Sequence, residues 1–151
     1  MLYYKSYGRQ GLKQSAAVGA RPLPTWRYRK NPLKKRSQAM AEINWRDSWD
    51  SALEEAKKEN RRVLLELYMD GCPHCMRLHS ETHADAGVVQ EVNSKYIPVR
   101  LDGRKNMDIV KKFNVTGAPT TLVFEADGQE VQRFPGYYSP ADYLKQLEKA
   151  G

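Results

Sequence analysis

The stretch Val63-Leu64-Leu65-Glu66-Leu67-Tyr68-Met69-Asp70-Gly71-Cys72-Pro73-His74-Cys75 decides how this chain reads. Its first half is a nearly unbroken apolar run, bounded by Arg62 and by Asp70-Gly71, as expected of a central strand covered on both faces. Glu66 is the one charge inside it. The second half opens a helix, because proline is tolerated at the first helical position, where its missing N–H removes no hydrogen bond. The two cysteines therefore stand where a strand hands over to a helix. A thiolate at a helix N-terminus faces free N–H donors and the positive end of the helix dipole, which favours its charged form. A thiol one turn later can reach it and form a bond. Cys72 is thus expected as the exposed nucleophile and Cys75, deeper in the helix, as the resolving thiol. Pro73 and His74 would tune the pair, since a histidine between the cysteines can favour the Cys72 thiolate and make the disulfide more oxidising.

Outward from this stretch the pattern alternates. Over 47–60, Trp49, Ala52, Leu53 and Ala56 recur at i, i+3, i+4 and i+7, one buried helical face. The helix begun at Cys72-Pro73 is expected to run through Leu78 and His79 towards Ala84. A short helix over 88–93, a strand over 96–101 and a helix over 108–113 follow. Strands over 120–125 and 130–134 flank Asp127-Gly128, a hairpin signal. Ser139-Pro140-Ala141-Asp142 opens a last helix, with serine at the cap and an acid three residues on. This order predicts an α/β sandwich: a central mixed β-sheet flanked by helices on both faces.

With 151 residues and 40% hydrophobic content, the chain has room for one main domain. No apolar run approaches the roughly 18–20 residues that cross a bilayer, so no membrane span is expected. Two cysteines cannot staple a disulfide-rich scaffold. The net charge of +7 is unevenly placed. Residues 1–40 hold ten Lys/Arg and no acid, whereas 41–151 hold fifteen Lys/Arg against eighteen Asp/Glu. The boundary falls there: a basic, Gly- and Pro-interrupted segment over 1–40, expected to be disordered, and a domain over 41–151. Three readings of the segment stand. It is an untranslated or expression remnant with Met40 as the start, a tail whose tyrosines, Trp26 and cations meet nucleic acid, or an organellar transit peptide. Beyond that tail, no nucleic-acid partner is expected.

The quoted stretch resembles the active-site strand and loop of the thioredoxin superfamily. Val115-Thr116-Gly117-Ala118-Pro119-Thr120 resembles its cis-proline loop, and Asp127-Gly128 with Phe134-Pro135-Gly136-Tyr137 its closing hairpin and following glycine. The match spans roughly 43–150 with the motifs in order, and the helix around Trp49, Ala52 and Ala56 is similar to that of small bacterial members related to the soluble C-terminal domain of the transmembrane disulfide reductase. The resemblance implies a thioredoxin fold and three further roles. Glu66 would be a buried acid exchanging protons with Cys75, its pKa raised by desolvation. Pro119 would have a cis bond to Ala118, whose backbone would pair with an extended substrate, and Gly136 would let that chain approach. Arg100 would sit beside the acid. Pro-His between the cysteines resembles the bacterial disulfide-forming oxidases, whereas Gly71 replaces the usual aromatic before the first cysteine.

The expected function is thiol–disulfide exchange with protein substrates, with no cofactor and no metal, by a monomer served by an upstream thiol reductase or oxidant. With no signal peptide visible, a cytoplasmic reductase is expected. The alternatives are an exported oxidase or isomerase in the periplasm, a redox-inactive binding module, and a zinc site. The zinc reading uses Cys72, Cys75, His79 and His83, spaced C-x2-C-x3-H-x3-H. Otherwise His79 and His83 are surface or helix-packing residues.

Overall fold

The computed structural model describes residues 42–151, so the expectations for the basic segment lie outside the described residues. Its strands are β1 (Arg62–Tyr68), β2 (Tyr96–Asp102), β3 (Thr120–Phe124) and β4 (Glu130–Pro135). They form one sheet in the order β2-β1-β3-β4. β1 runs parallel to β2 and antiparallel to β3, and β3 is antiparallel to β4. The sheet is mixed, and the apolar run is central, as its composition requires.

Alternation along β1 divides the core. Val63, Leu65 and Leu67 face Trp49, Ala52 and Ala56 of α1 (Trp49–Glu59) and Ile109 of α4 (Met107–Lys112). Leu64 faces the other layer, with Val88 and Val92 of α3 (Ala86–Lys95) and Tyr143 and Leu147 of α5 (Pro140–Lys149). Each leucine of β1 is at most 1% exposed, a burial worth about 1.5–3 kcal/mol per side chain. Glu66 shares the face of Leu64, so a carboxyl is buried among the groups beneath the cysteine helix. Pro98 sits in β2 without loss to the ladder. Its carbonyl accepts from the Arg46 N–H at 2.8 Å on the strand's outer side, where the N–H that proline lacks also falls.

The helix at the cysteines departs from the expectation. α2 (Pro73–Arg77) does not continue as an α-helix to Ala84 but gives way to a π-helical turn over Leu78–Thr82. The turn is closed by the His83 N–H donating to the Leu78 carbonyl at 3.0 Å. One extra residue in a turn rotates every later side chain back by about 100°. That rotation brings His83 inward. α3 is longer than its sequence pattern suggested, because the Asp85 carboxylate caps it, accepting from the N–H groups of Gly87 and Val88 at 2.9 and 3.1 Å. At α5 the expected cap is present, the Ser139 hydroxyl accepting from the Asp142 N–H at 3.3 Å. Among the described residues no helix is long and apolar enough to cross a membrane.

Candidate active site

The chain leaves β1 through a turn in which the Cys72 N–H donates to the Met69 carbonyl at 3.3 Å. Gly71, at the third position of that turn, has φ +77°, the left-handed region that favours glycine. Here lies the physical reason for glycine where the resemblance implied an aromatic. Cys72 is then the N-cap of α2, its sulfur accepting from the Cys75 N–H at 3.3 Å, with Pro73 in the first turn. Cys72 is half-buried and Cys75 is buried, and both are free thiols. Burial pushes the Cys75 thiol up to about 11, with the Cys72 sulfur and the Glu66 charge adding to the rise. His74 is exposed on the first turn.

A second loop meets the first at the Cys72 sulfur. The Ala118–Pro119 peptide bond is cis, and the Cys72 thiol donates to the Ala118 carbonyl at 3.7 Å. The Thr120 hydroxyl donates to the Gly117 carbonyl at 2.7 Å, closing the loop on itself. The Gly136 N–H donates to the Pro119 carbonyl at 2.7 Å, tying the end of β4 to the same place. Gly136 has φ +92° and open space where a Cβ would stand, so its backbone conformation, not crowding, selects glycine. Alongside lies a mainly apolar groove of about 200 Å³, walled by Tyr68, Met69, Met107, Val115 and Ala118.

Beneath this surface is Glu66, fully buried. In register it stands between Arg100 of β2 and Thr121 of β3. The Arg100 Nε donates to Glu66 Oε1 at 3.3 Å, while its guanidinium covers the Tyr68 ring at 4.3 Å. On the other side His83 Nε2 lies 3.1 Å from Glu66 Oε2, both side chains closed to solvent. The contact is close, but its angle falls short of a hydrogen bond. Burial pushes Glu66 up to about 7, against the lowering pull of Arg100. Burial likewise holds His83 down at about 3, with Arg100 and His79 opposing its charge further.

The structure thus brings Cys72, Ala118 and Gly136 together with the buried Cys75 and Pro119 at one junction, with Glu66 below and Arg100 beside the acid. It does not bring the zinc alternative together: among the described residues, no group of three or more His, Cys, Asp or Glu side chains is placed to hold a metal ion. His79 is exposed. For His83 the expectations are a zinc ligand or a surface or packing residue, and its approach to the buried acid is the feature that sequence reasoning missed. A histidine among the residues following the second cysteine was the only signal available.

Known proteins resemble this chain, some in sequence and others in architecture. The thiol:disulfide interchange protein DsbD of Yersinia pestis (strain Pestoides F) is 28% identical over 139 residues, covering 87% of this chain and 23% of its own length. The chain therefore spans about a quarter of the curated relatives it matches. A thioredoxin from Thermus thermophilus has the same fold, with a TM-score of 0.65 and 22% identity over 72% of this chain and 86% of its own. So does a DsbH oxidoreductase, with a TM-score of 0.66 and 17% identity over 95% of this chain and 94% of its own. A family model described as a thioredoxin-like domain matches residues 49–151, and on that match the chain belongs to the thioredoxin-like domain family.

Proposed function

We propose that this chain reduces protein disulfides through Cys72 and Cys75. The observation that carries the reading is the junction of the two loops: the half-buried Cys72 sulfur touches the Ala118 carbonyl, with the buried Cys75 one turn behind it. An extended substrate pairs its backbone with Ala118 beside Pro119 and passes over Gly136. The Cys72 thiolate attacks one substrate sulfur, forming a mixed disulfide and releasing the first substrate thiolate. Cys75 then gives its proton to the Glu66 carboxylate and attacks the Cys72 sulfur. The second substrate thiolate leaves, and the Cys72–Cys75 disulfide keeps the two-electron balance. No cofactor enters, and an upstream thiol reductase restores the dithiol.

The reducing direction rests on charge. A pair is oxidising when its reduced form is stabilised as a thiolate, and Cys75, which burial keeps protonated at neutral pH, supplies no such stabilisation. The exposed His74 pulls the other way only if it reaches the Cys72 sulfur. A compartment whose thiol pool keeps the pair reduced, such as the cytoplasm, suits this direction. The likeness to a thiol:disulfide interchange protein favours a second reading, in which the electron donor is itself a protein dithiol.

Two measurements test the proposal. A Cys75→Ser variant mixed with a disulfide-bearing protein is expected to trap an adduct through Cys72 that dithiothreitol releases; no adduct contradicts the mechanism. Equilibration with glutathione buffers is expected to place the potential towards the thioredoxin end, about −270 mV, and a value near about −120 mV contradicts the reductase direction.

A further inference from the structure

The mechanism leaves a proton stranded. Glu66 is fully buried, so a proton received from Cys75 has no direct way to water, and the same carboxyl must be emptied before another turnover. The side chain that touches its far oxygen is His83, at 3.1 Å. His83 also forms part of the wall of a cavity of about 500 Å³, together with Trp45, His79 and Ser80. The His79 and His83 rings stand 6.3 Å apart between centroids, and His79 is exposed.

We propose that His83 is a positioning residue that acts through Glu66, carrying the proton of the resolving step between the buried carboxyl and the cavity lined by His79. The proposal rests on Cys75 as the resolving thiol. In the required tautomer Nδ1 carries the hydrogen and Nε2 is free to accept. Cys75 gives its proton to the Glu66 carboxylate. Glu66 hands a proton to His83 Nε2, and Nδ1, buried and without a hydrogen-bond partner, gives one up to a water or buffer base that reaches it through the cavity. When the pair is re-reduced the steps run backwards, and Cys75 regains its proton by the same route.

The surroundings suit transit over storage. Arg100 on β2 and His79 on the π-helical turn oppose a lasting charge on His83, while Tyr143 on α5 and Trp45 pack edge-on against its ring at 5.6 and 5.1 Å. Glu42 and Arg100 act on His79 at the outlet, in opposite senses. The π-helical turn places the imidazole here, and such turns recur at functional sites.

The test is the two-phase reaction of the reduced protein with 5,5′-dithiobis(2-nitrobenzoate), in which Cys72 releases the first nitrothiolate and Cys75 the second. For His83→Phe and His83→Gln the second phase is expected to slow by about ten- to a hundredfold near pH 7. The gap to wild type should close at alkaline pH, where hydroxide takes the proton, while the first phase is unchanged. A second phase with wild-type rate and pH profile overturns the proposal, as does a slowing by one constant factor at every pH, which marks a displaced side chain. If neither variant folds, the exposed His79→Ala carries the test: a second phase slowed a few-fold near neutral pH supports the route, and an unchanged profile overturns it. Failure of the parent mechanism looks different, with a first phase that survives Cys72→Ser or no second phase in wild type.

Discussion

His83 Nε2 lies 3.1 Å from Glu66 Oε2, with both side chains buried. Burial drives the two groups in opposite directions, the acid up to about 7 and the imidazole down to about 3. Below neutrality the folded pair therefore holds its proton on the carboxyl and leaves the ring neutral. A chain that buried either group alone would carry a strong pH dependence, and burying both conceals it.

That concealment is testable by stability measurements. Between the ordinary values of 4.5 and 6.5, the unfolded pair holds one proton, on the histidine, and the folded pair holds one, on the glutamate. The counts match, so the pair adds no slope there. Glu66→Gln leaves His83 alone, with a depressed folded pKa. Its contribution is complete above about 6.5 and is lost as pH falls towards about 3, at about 1.4 kcal/mol per pH unit. His83→Gln leaves Glu66 alone, with a raised folded pKa. Its contribution is complete below about 4.5 and is lost at a similar rate as pH rises through about 7. Urea denaturation of both variants from pH 4.5 to 6.5 should give slopes of opposite sign. Parallel slopes would contradict the paired burial.

The turn before the nucleophile offers a backbone test. Gly71 has φ +77° and open space where a Cβ would stand, so a side chain there meets backbone strain and no clash. Gly71→Ala is expected to cost about 1–2 kcal/mol in urea denaturation, and Gly71→Asn less, since asparagine tolerates this region. Equal losses for both would point to a packing cause instead.

What the sequence disclosed and what it hid follow from the range of the interactions involved. The cysteine junction was legible because its determinants are local: an apolar run, a left-handed glycine and a proline that opens a helix. Glu66 was legible as a lone charge inside a strand whose neighbours could only be core. The length of α3 was obscured because Gly87 and Gln90 dilute its apolar pattern, while the cap that extends it is the single side chain of Asp85. His83 was hidden for a deeper reason. In the π-helical turn Leu78 packs into the core with Leu64 and Tyr143 and the Thr82 hydroxyl donates to the Tyr138 carbonyl, contacts distant in sequence, and no residue type encodes a hydrogen bond to the fifth residue back. Read on an ideal helix, His83 points elsewhere.

Differential alkylation tests the division of labour between the thiols. Cys75 is 2% exposed and pushed up to about 11, which leaves roughly one molecule in ten thousand as thiolate at pH 7. Brief treatment of the reduced protein with iodoacetamide, followed by peptide mapping, should find label on Cys72 and reach Cys75 only after denaturation. Equal labelling of the native protein would contradict a buried, protonated resolving thiol.

Turnover of insulin's interchain disulfides with dithiothreitol as the electron source tests the nucleophile most directly. Wild type is expected to accelerate the reaction well above the uncatalysed rate, and Cys72→Ser to fall to that background while remaining folded. A Cys72→Ser protein that cleaves insulin as fast as wild type would contradict the assignment of the chemistry to the sulfur at the head of α2.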